Sequence, residues 1–363
     1  MTLQRALTAA TAMAIALPAL AEEPKRLFIY NWSDYIAEDT IAGFEAETGI
    51  DVTYDVFDSN EVLEAKMLAG SSGYDLVVPS STFMARQIQA GVFLPLDKSK
   101  LSNLGNLDGA MMETVAAHDP GNEHGIIYMW GTTGIGINVD MVTERLGEDF
   151  PRGWELILDP ANAEKLADCG ITVLDSFSEI VGPVLNYVGA DPASKAAADF
   201  EKAAEALTAI RPHIRYFHSS QYVNDLANGD VCVSVGWSGD VFIARDRAAE
   251  ADNGVTVDYI IPEEGTISWF DMIGIPADAP HPQNAHLFLD YLMRPEVTAG
   301  ITNYVWYANA NTPSLELVDA EITSDPAIFP TEEVKAKLFA PEVYGPREDR
   351  TLNRLWTQLK TGQ

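Results

Sequence analysis

The chain of 363 residues carries 23 Lys and Arg against 54 Asp and Glu, a formal net charge of −31. Most of these carboxylates read as a solubilising surface; together they repel a nucleic-acid backbone and favour cationic partners within about 8 Å at physiological salt. An apolar fraction of 47% beside 21% charged residues is that of a globular chain, which excludes disorder, and the length suggests two domains.

In chain order, residues 1–21 come first. They hold one positive charge, Arg5, then an apolar stretch interrupted by Pro18, then the small-x-small site Ala19-Leu20-Ala21. This is the three-part pattern of a cleaved secretory signal peptide, and its removal leaves about 340 residues. No cysteine follows the cleavage site to take a lipid, and the later apolar runs are strand-sized, too short to span a bilayer. The expectation is an exported, soluble protein.

A strand over 26–30 stops at Asn31-Trp32-Ser33-Asp34, and helical spacing then runs from Ile36 through Phe44 to the stop at Thr48-Gly49. Residues 50–56 alternate and are β-branched, a second strand; Asp58-Ser59-Asn60 caps a helix that continues to Gly70. Residues 74–78 form a short buried strand closed by Pro79-Ser80-Ser81. This β-α-β-α-β order predicts a parallel, doubly wound sheet, in which ligands sit beyond the carboxyl ends of the strands. Trp32-Ser33-Asp34-Tyr35 and Ser80-Ser81-Thr82 therefore fall at a crevice.

A second α/β set follows, with helices near 154–158, 180–187 and 196–211 and strands over 171–174, 231–235, 255–261 and 269–273. Gly236-Trp237-Ser238-Gly239-Asp240 again follows a strand, and a last helix over 284–293 ends at Arg294-Pro295. Gly131-Thr132-Thr133-Gly134-Ile135-Gly136 reads as a turn or hinge. The expected organisation is two lobes around a cleft, residues 22–133 with about 263–307, and 134–262 with about 308–363. The two cysteines, Cys169 and Cys232, are read as a disulfide in an exported chain, against free thiols or half a metal site.

The search for chemistry is nearly empty. The glycine-rich segment lacks both GxGxxG spacing and a Lys-Ser/Thr ending. Gly236-Trp237-Ser238-Gly239 departs from a nucleophile elbow because Asp240 stands where glycine is required. None of the six histidines lies in HExxH. No metal, cofactor or catalytic residue is expected.

What recurs is an aromatic beside a carboxylate at strand ends: Trp32 with Asp34 and Tyr35, Trp237 with Asp240, Trp269 with Asp271, to which Tyr307 is added. Aromatic faces attract alkyl chains and ammonium groups, and carboxylates supply charge-assisted hydrogen bonds. Taken singly, each tryptophan is equally well a core residue and each aspartate a helix cap.

At these segments the sequence resembles the bacterial periplasmic polyamine-binding proteins, of the putrescine-binding type, that serve ABC importers. The resemblance spans the mature chain through Tyr30-Asn-Trp-Ser-Asp-Tyr-Ile36, Tyr54-Asp-Val-Phe-Asp-Ser-Asn-Glu-Val62, Asp75-Leu-Val-Val-Pro-Ser80, Tyr216-Phe-His-Ser-Ser-Gln-Tyr222, Gly236-Trp-Ser-Gly-Asp240 and Tyr307-Ala-Asn-Ala-Asn311. It implies a type II periplasmic binding fold, two α/β lobes that close on a polyamine, and delivery of that ligand to an ABC transporter permease by a monomer. By position it implies an aromatic box of Trp32, Tyr35, Trp237, Trp269 and Tyr307, with Asp240 and Asp271 on one ammonium. Ser33, Asp34 and Ser80 would line the cleft and Glu179 would serve the other amine. The cysteines match the family's disulfide pair. Trp269 stands where putrescine-preferring relatives have phenylalanine and follows the spermidine-preferring pattern, whereas Asp34 follows the putrescine pattern. The surroundings of Glu179 also depart from the family pattern. The competing expectations are a binder of another small solute on the same fold and an exported α/β hydrolase. An amino-acid binder should place an arginine in the cleft, and none of the strand-end segments contains one.

Overall fold

The computed structural model describes residues 23–362. The expected signal peptide, residues 1–21, lies outside them. Among the described residues there are nine strands: β1 (Arg26–Trp32), β2 (Asp51–Phe57), β3 (Leu76–Val77), β4 (Gly125–Asn138), β5 (Ile171–Val173), β6 (Ile214–Phe217), β7 (Val233–Trp237), β8 (Val257–Ile260) and β9 (Ser268–Gly274).

The first lobe forms as its sequence pattern predicts. β1 pairs in parallel with β2 and with β3, and helices Glu38–Thr48 and Asn60–Leu68 make the crossovers. Ser59 caps the second of these by accepting the Val62 N–H at 3.2 Å. β1 runs two residues past the expected strand, which puts the Trp32 side chain at its carboxyl end. β9 then joins antiparallel to β3 and to β4, giving the order β2-β1-β3-β9-β4.

β4 is where expectation and structure part. The segment from Gly131 to Gly136, expected as a turn or hinge, lies inside this 14-residue strand, every residue of which is buried. Gly125 to Thr132 pair with β9, while Thr133 to Asn138 pair with β7 and β8. One strand thus serves both lobes, and the glycines meet close neighbours on each side instead of making a turn. Beyond β7 the sheet continues in parallel through β5 to β6.

The chain returns to the first lobe between β8 and β9, through a turn closed by the Gly265 N–H on the Pro262 carbonyl at 2.9 Å. Ala308 bridges Trp130, Asn311 bridges Leu107, and Asn309, Asn311 and Ser314 are buried in hydrogen bonds to one another, to Thr302 and to the Met293 carbonyl. These bonds hold the segment on the helix Pro295–Val305 of the first lobe. The final helix, Pro346–Thr361, packs on the second-lobe helices Phe177–Tyr187 and Ala197–Ile210.

Cys169 and Cys232 form the expected disulfide, with Cα atoms 5.5 Å apart. It joins the residues just before β5 and β7, which are neighbours in the sheet.

Candidate ligand-binding cleft

The carboxyl ends of β1, β3 and β7 meet around one cavity between the lobes. All eleven residues singled out in the sequence line it. Trp32, Ser33, Asp34 and Tyr35 leave the end of β1, and Asp34 turns the chain with a left-handed φ of 51°, a conformation its short polar side chain tolerates. Ser80 follows β3. Trp237 ends β7, and Asp240 sits in the first turn of the helix Ser238–Ala251, where the N-terminal dipole favours a carboxylate. Trp269 and Asp271 come from β9, Tyr307 from the segment after the helix Pro295–Val305, and Glu179 from the first turn of the helix Phe177–Tyr187.

The aromatic side chains are held in place by contacts with the rest of the protein. The Trp32 indole donates to the Val78 carbonyl at 2.8 Å and stands edge-on to Trp237, with ring centroids 5.4 Å apart. Tyr35 is edge-on to Tyr307 at 4.9 Å, and the Trp269 indole donates to the Thr133 hydroxyl at 3.2 Å. Aromatic pairs at such edge-on geometries are favourable beyond the area they bury.

Each buried carboxyl is held by neutral hydroxyl donors. Asp271 accepts from Ser80 at 2.6 Å and Tyr35 at 2.9 Å. Asp240 accepts from Tyr307 at 2.7 Å and Tyr222 at 2.8 Å, and its own N–H donates back to the Tyr307 hydroxyl at 3.1 Å. Glu179 accepts from Thr133. These bonds favour the ionised form but do not offset the loss of water. Burial pushes all three carboxyls up, Asp240 and Asp271 from 3.8 and Glu179 from 4.5, each to about 7. Asp34 and Asp58 add two more carboxyls to the lining, and among the described residues no Lys, Arg or His contributes to it. The arrangement is a desolvated anionic box with aromatic walls, in which Asp240, Asp271 and Glu179 are met by hydroxyls alone.

Residues 39–331 match the model of the bacterial extracellular solute-binding proteins. The chain belongs to that family. It is 55% identical over 359 residues to the putrescine-binding periplasmic protein PotF of Escherichia coli, covering 98% of this chain and 97% of that protein. It is 49% identical over 350 residues to the putrescine-binding periplasmic protein SpuD of Pseudomonas aeruginosa, covering 96% and 95%. Among solved structures it is similar to the spermidine/putrescine ABC transporter substrate-binding protein PotD of Streptococcus pneumoniae, with a TM-score of 0.73 and 28% identity, over 93% of this chain and 98% of that one. The fold is accordingly the α/β type II periplasmic binding fold, two lobes around a central cleft.

In this solute-binding protein the lobes are drawn together over the cavity. Besides Tyr307 on Asp240 and Trp32 on Trp237, Arg247 of the second lobe bonds Asp34 at 2.8 Å. Ser176 and Ser178 of the second lobe donate to Glu61 of the first at 2.9–3.2 Å. Arg86 of the first lobe reaches Asp349 of the last helix at 3.1 Å.

Several lining residues were not singled out in the sequence. Phe57 and Asp58 line the cavity at the end of β2, the same strand-end pairing of aromatic and carboxylate that singled out the others. Ser219, Ser220 and Val223 also line it, without a distinctive local pattern. Tyr222 and Thr133 act from behind, by holding Asp240 and Glu179. The glycines of Gly236-Trp237-Ser238-Gly239 are explained by the same packing. A Cβ on Gly236 would lie 2.4 Å from the Tyr222 ring and one on Gly239 2.3 Å from the Tyr307 ring. The motif that resembles a nucleophile elbow is thus the seat of the two tyrosines that grip Asp240.

Proposed function

We propose that the protein captures a linear polyamine, putrescine or spermidine, in the periplasm, closes its lobes over it, and delivers it to the permease of an ABC importer. The observation that carries this reading is the composition of the cavity: among the described residues, its lining holds five carboxyl groups and no basic side chain, with aromatic faces between them. An alkyl chain with ammonium ends supplies what such a box lacks. Its methylenes cover the tryptophan and tyrosine faces, and its charges compensate the buried carboxylates. Asp271, Asp240 and Glu179 are the ammonium acceptors in this reading, with Ser33, Asp34 and Ser80 at the rim and wall. The similarity to putrescine- and spermidine-binding relatives supports the ligand class.

The protein works by binding alone. The Ser238 hydroxyl, the nearest approach to a nucleophile motif, accepts the Thr132 N–H at 3.5 Å. The signal peptide over residues 1–21 directs export, and the mature chain acts as a monomer. Titration calorimetry with putrescine, cadaverine, spermidine and spermine tests the proposal. Micromolar or tighter binding of at least one is expected. No heat and no thermal shift from all four at micromolar protein would abandon it.

A further inference from the structure

Arg247 stands at the rim of the cleft and interacts with carboxylates that the cavity needs. Its guanidinium donates to Asp34 Oδ1 at 2.8 Å from the opposite lobe, and a second nitrogen donates to Asn224 at 3.0 Å. Arg247 and Asp240 lie on the same helix, Ser238–Ala251, seven residues apart. That spacing is two turns on one face, about 10 Å along the axis. One face of this helix therefore presents an ammonium acceptor at the cavity and a fixed cation at its mouth. Among the residues that line the cavity or bond to its lining, Arg247 is the cation, and its field also draws the Asp240 carboxyl down.

We propose that Arg247 sets the charge of the polyamine the cleft accepts, by compensating Asp34 and so holding the cavity to diamines over ligands with a third or fourth ammonium. The inference rests on the polyamine reading above and adds a specificity determinant to it. A diamine brings two charges to a box in which one of the five carboxyls already has its partner. Each further ammonium of a triamine or tetraamine that reaches the rim finds Asp34 already paired and is repelled by the guanidinium. The pair is only partly buried, with side chains 36% and 46% exposed for Arg247 and Asp34, so the effect is graded and screened by salt.

The test measures putrescine and spermine affinities by calorimetry for the wild type, Arg247→Gln, Arg247→Lys and the double variant Asp34→Asn/Arg247→Gln. Arg247→Gln should raise the ratio of spermine to putrescine affinity by about two- to fivefold, the range of an exposed charge pair. Lysine should preserve the wild-type ratio, and the double variant should return towards it because the charge count is restored. The rise should shrink at 1 M salt, where the screening length falls to about 3 Å. Equal weakening of both ligands in Arg247→Gln would overturn the proposal and leave Arg247 as a mechanical clasp. Failure of the wild type to bind either polyamine would instead refute the reading of the cleft.

Discussion

Asp271→Asn separates the charge of the cleft from its shape. The carboxylate accepts one hydroxyl at each oxygen, Ser80 at 2.6 Å and Tyr35 at 2.9 Å. An asparagine can accept one of these and donate to the other, since a hydroxyl offers both roles, so the local packing survives. The rise of the Asp271 carboxyl from 3.8 to about 7 means that the ionised form costs roughly 4 kcal/mol in the closed cavity. An ammonium offsets that cost with a charge-assisted hydrogen bond. Removing one partner of a buried charge pair costs about 3–5 kcal/mol, so polyamine affinity should fall by a factor on the order of 10²–10⁴. The ligand-free protein should respond in the opposite sense. A raised carboxyl disfavours the closed form where it is ionised, fully above about pH 7, and this disadvantage vanishes below about pH 4. Asp271→Asn should therefore ease closure without ligand at pH 8 and change it little at pH 4.5. Calorimetry reads the first effect, and the radius of gyration from solution X-ray scattering at the two pH values reads the second. A putrescine affinity within threefold of wild type would remove Asp271 from the site and refute the electrostatic reasoning.

Closure without ligand should take up protons near neutrality, because burial pushes Asp240, Asp271 and Glu179 each up to about 7 in the closed cleft. Solution scattering of the ligand-free protein should therefore show a larger closed fraction at pH 5 than at pH 8, and a radius of gyration unchanged over that range would contradict the assignment. Replacing Cys169 and Cys232 by serine opens a crosslink between positions 63 residues apart, and thermal or denaturant unfolding should show a loss on the order of 4 kcal/mol. Gly239→Ala places a methyl group 2.3 Å from the Tyr307 ring, so it should push the tyrosine off Asp240 and weaken polyamine binding at least tenfold, read by calorimetry beside an unchanged circular dichroism spectrum.

The parts of the site legible in the sequence are those that a general rule of α/β sheets locates. Trp32, Ser80 and Trp237 could be placed at a crevice because parallel strands present their carboxyl ends there, and a turn follows each. β4 was illegible for a physical reason. Its segment from Gly125 to Asn138 is buried on both faces, so it has no alternation to read, and its glycines mimic a turn. Only the partners β7, β8 and β9 reveal it as the strand shared by both lobes. Tyr222 and Thr133 carried no local signal either, since a residue that bonds Asp240 or Glu179 from behind is defined by tertiary contact alone. Asp58 was different: it met the same strand-end criterion as the chosen carboxylates, and its role beside a helix cap masked it. The word polyamine came from extended resemblance, because single pairs of tryptophan and aspartate serve cores and caps equally well.

The same electrostatics that define the ligand also explain why closure should wait for it. Closing the empty cleft buries Asp240, Asp271 and Glu179 against hydroxyls alone, and at neutral pH the cost appears as three carboxyls raised to about 7. The interlobe contacts work the other way: Arg247 on Asp34, Ser176 and Ser178 on Glu61, and Arg86 on Asp349 favour the closed form. Two of these three are solvent-facing ion pairs, worth about 0–1 kcal/mol each. They are too weak to overcome several kcal/mol of carboxylate desolvation. A ligand shifts such an equilibrium only through its preference for one state, and a diammonium removes the dominant cost of the closed state directly. The polyamine is therefore both cargo and missing counter-charge, and a neutral diol of the same length should fill the cavity without closing it.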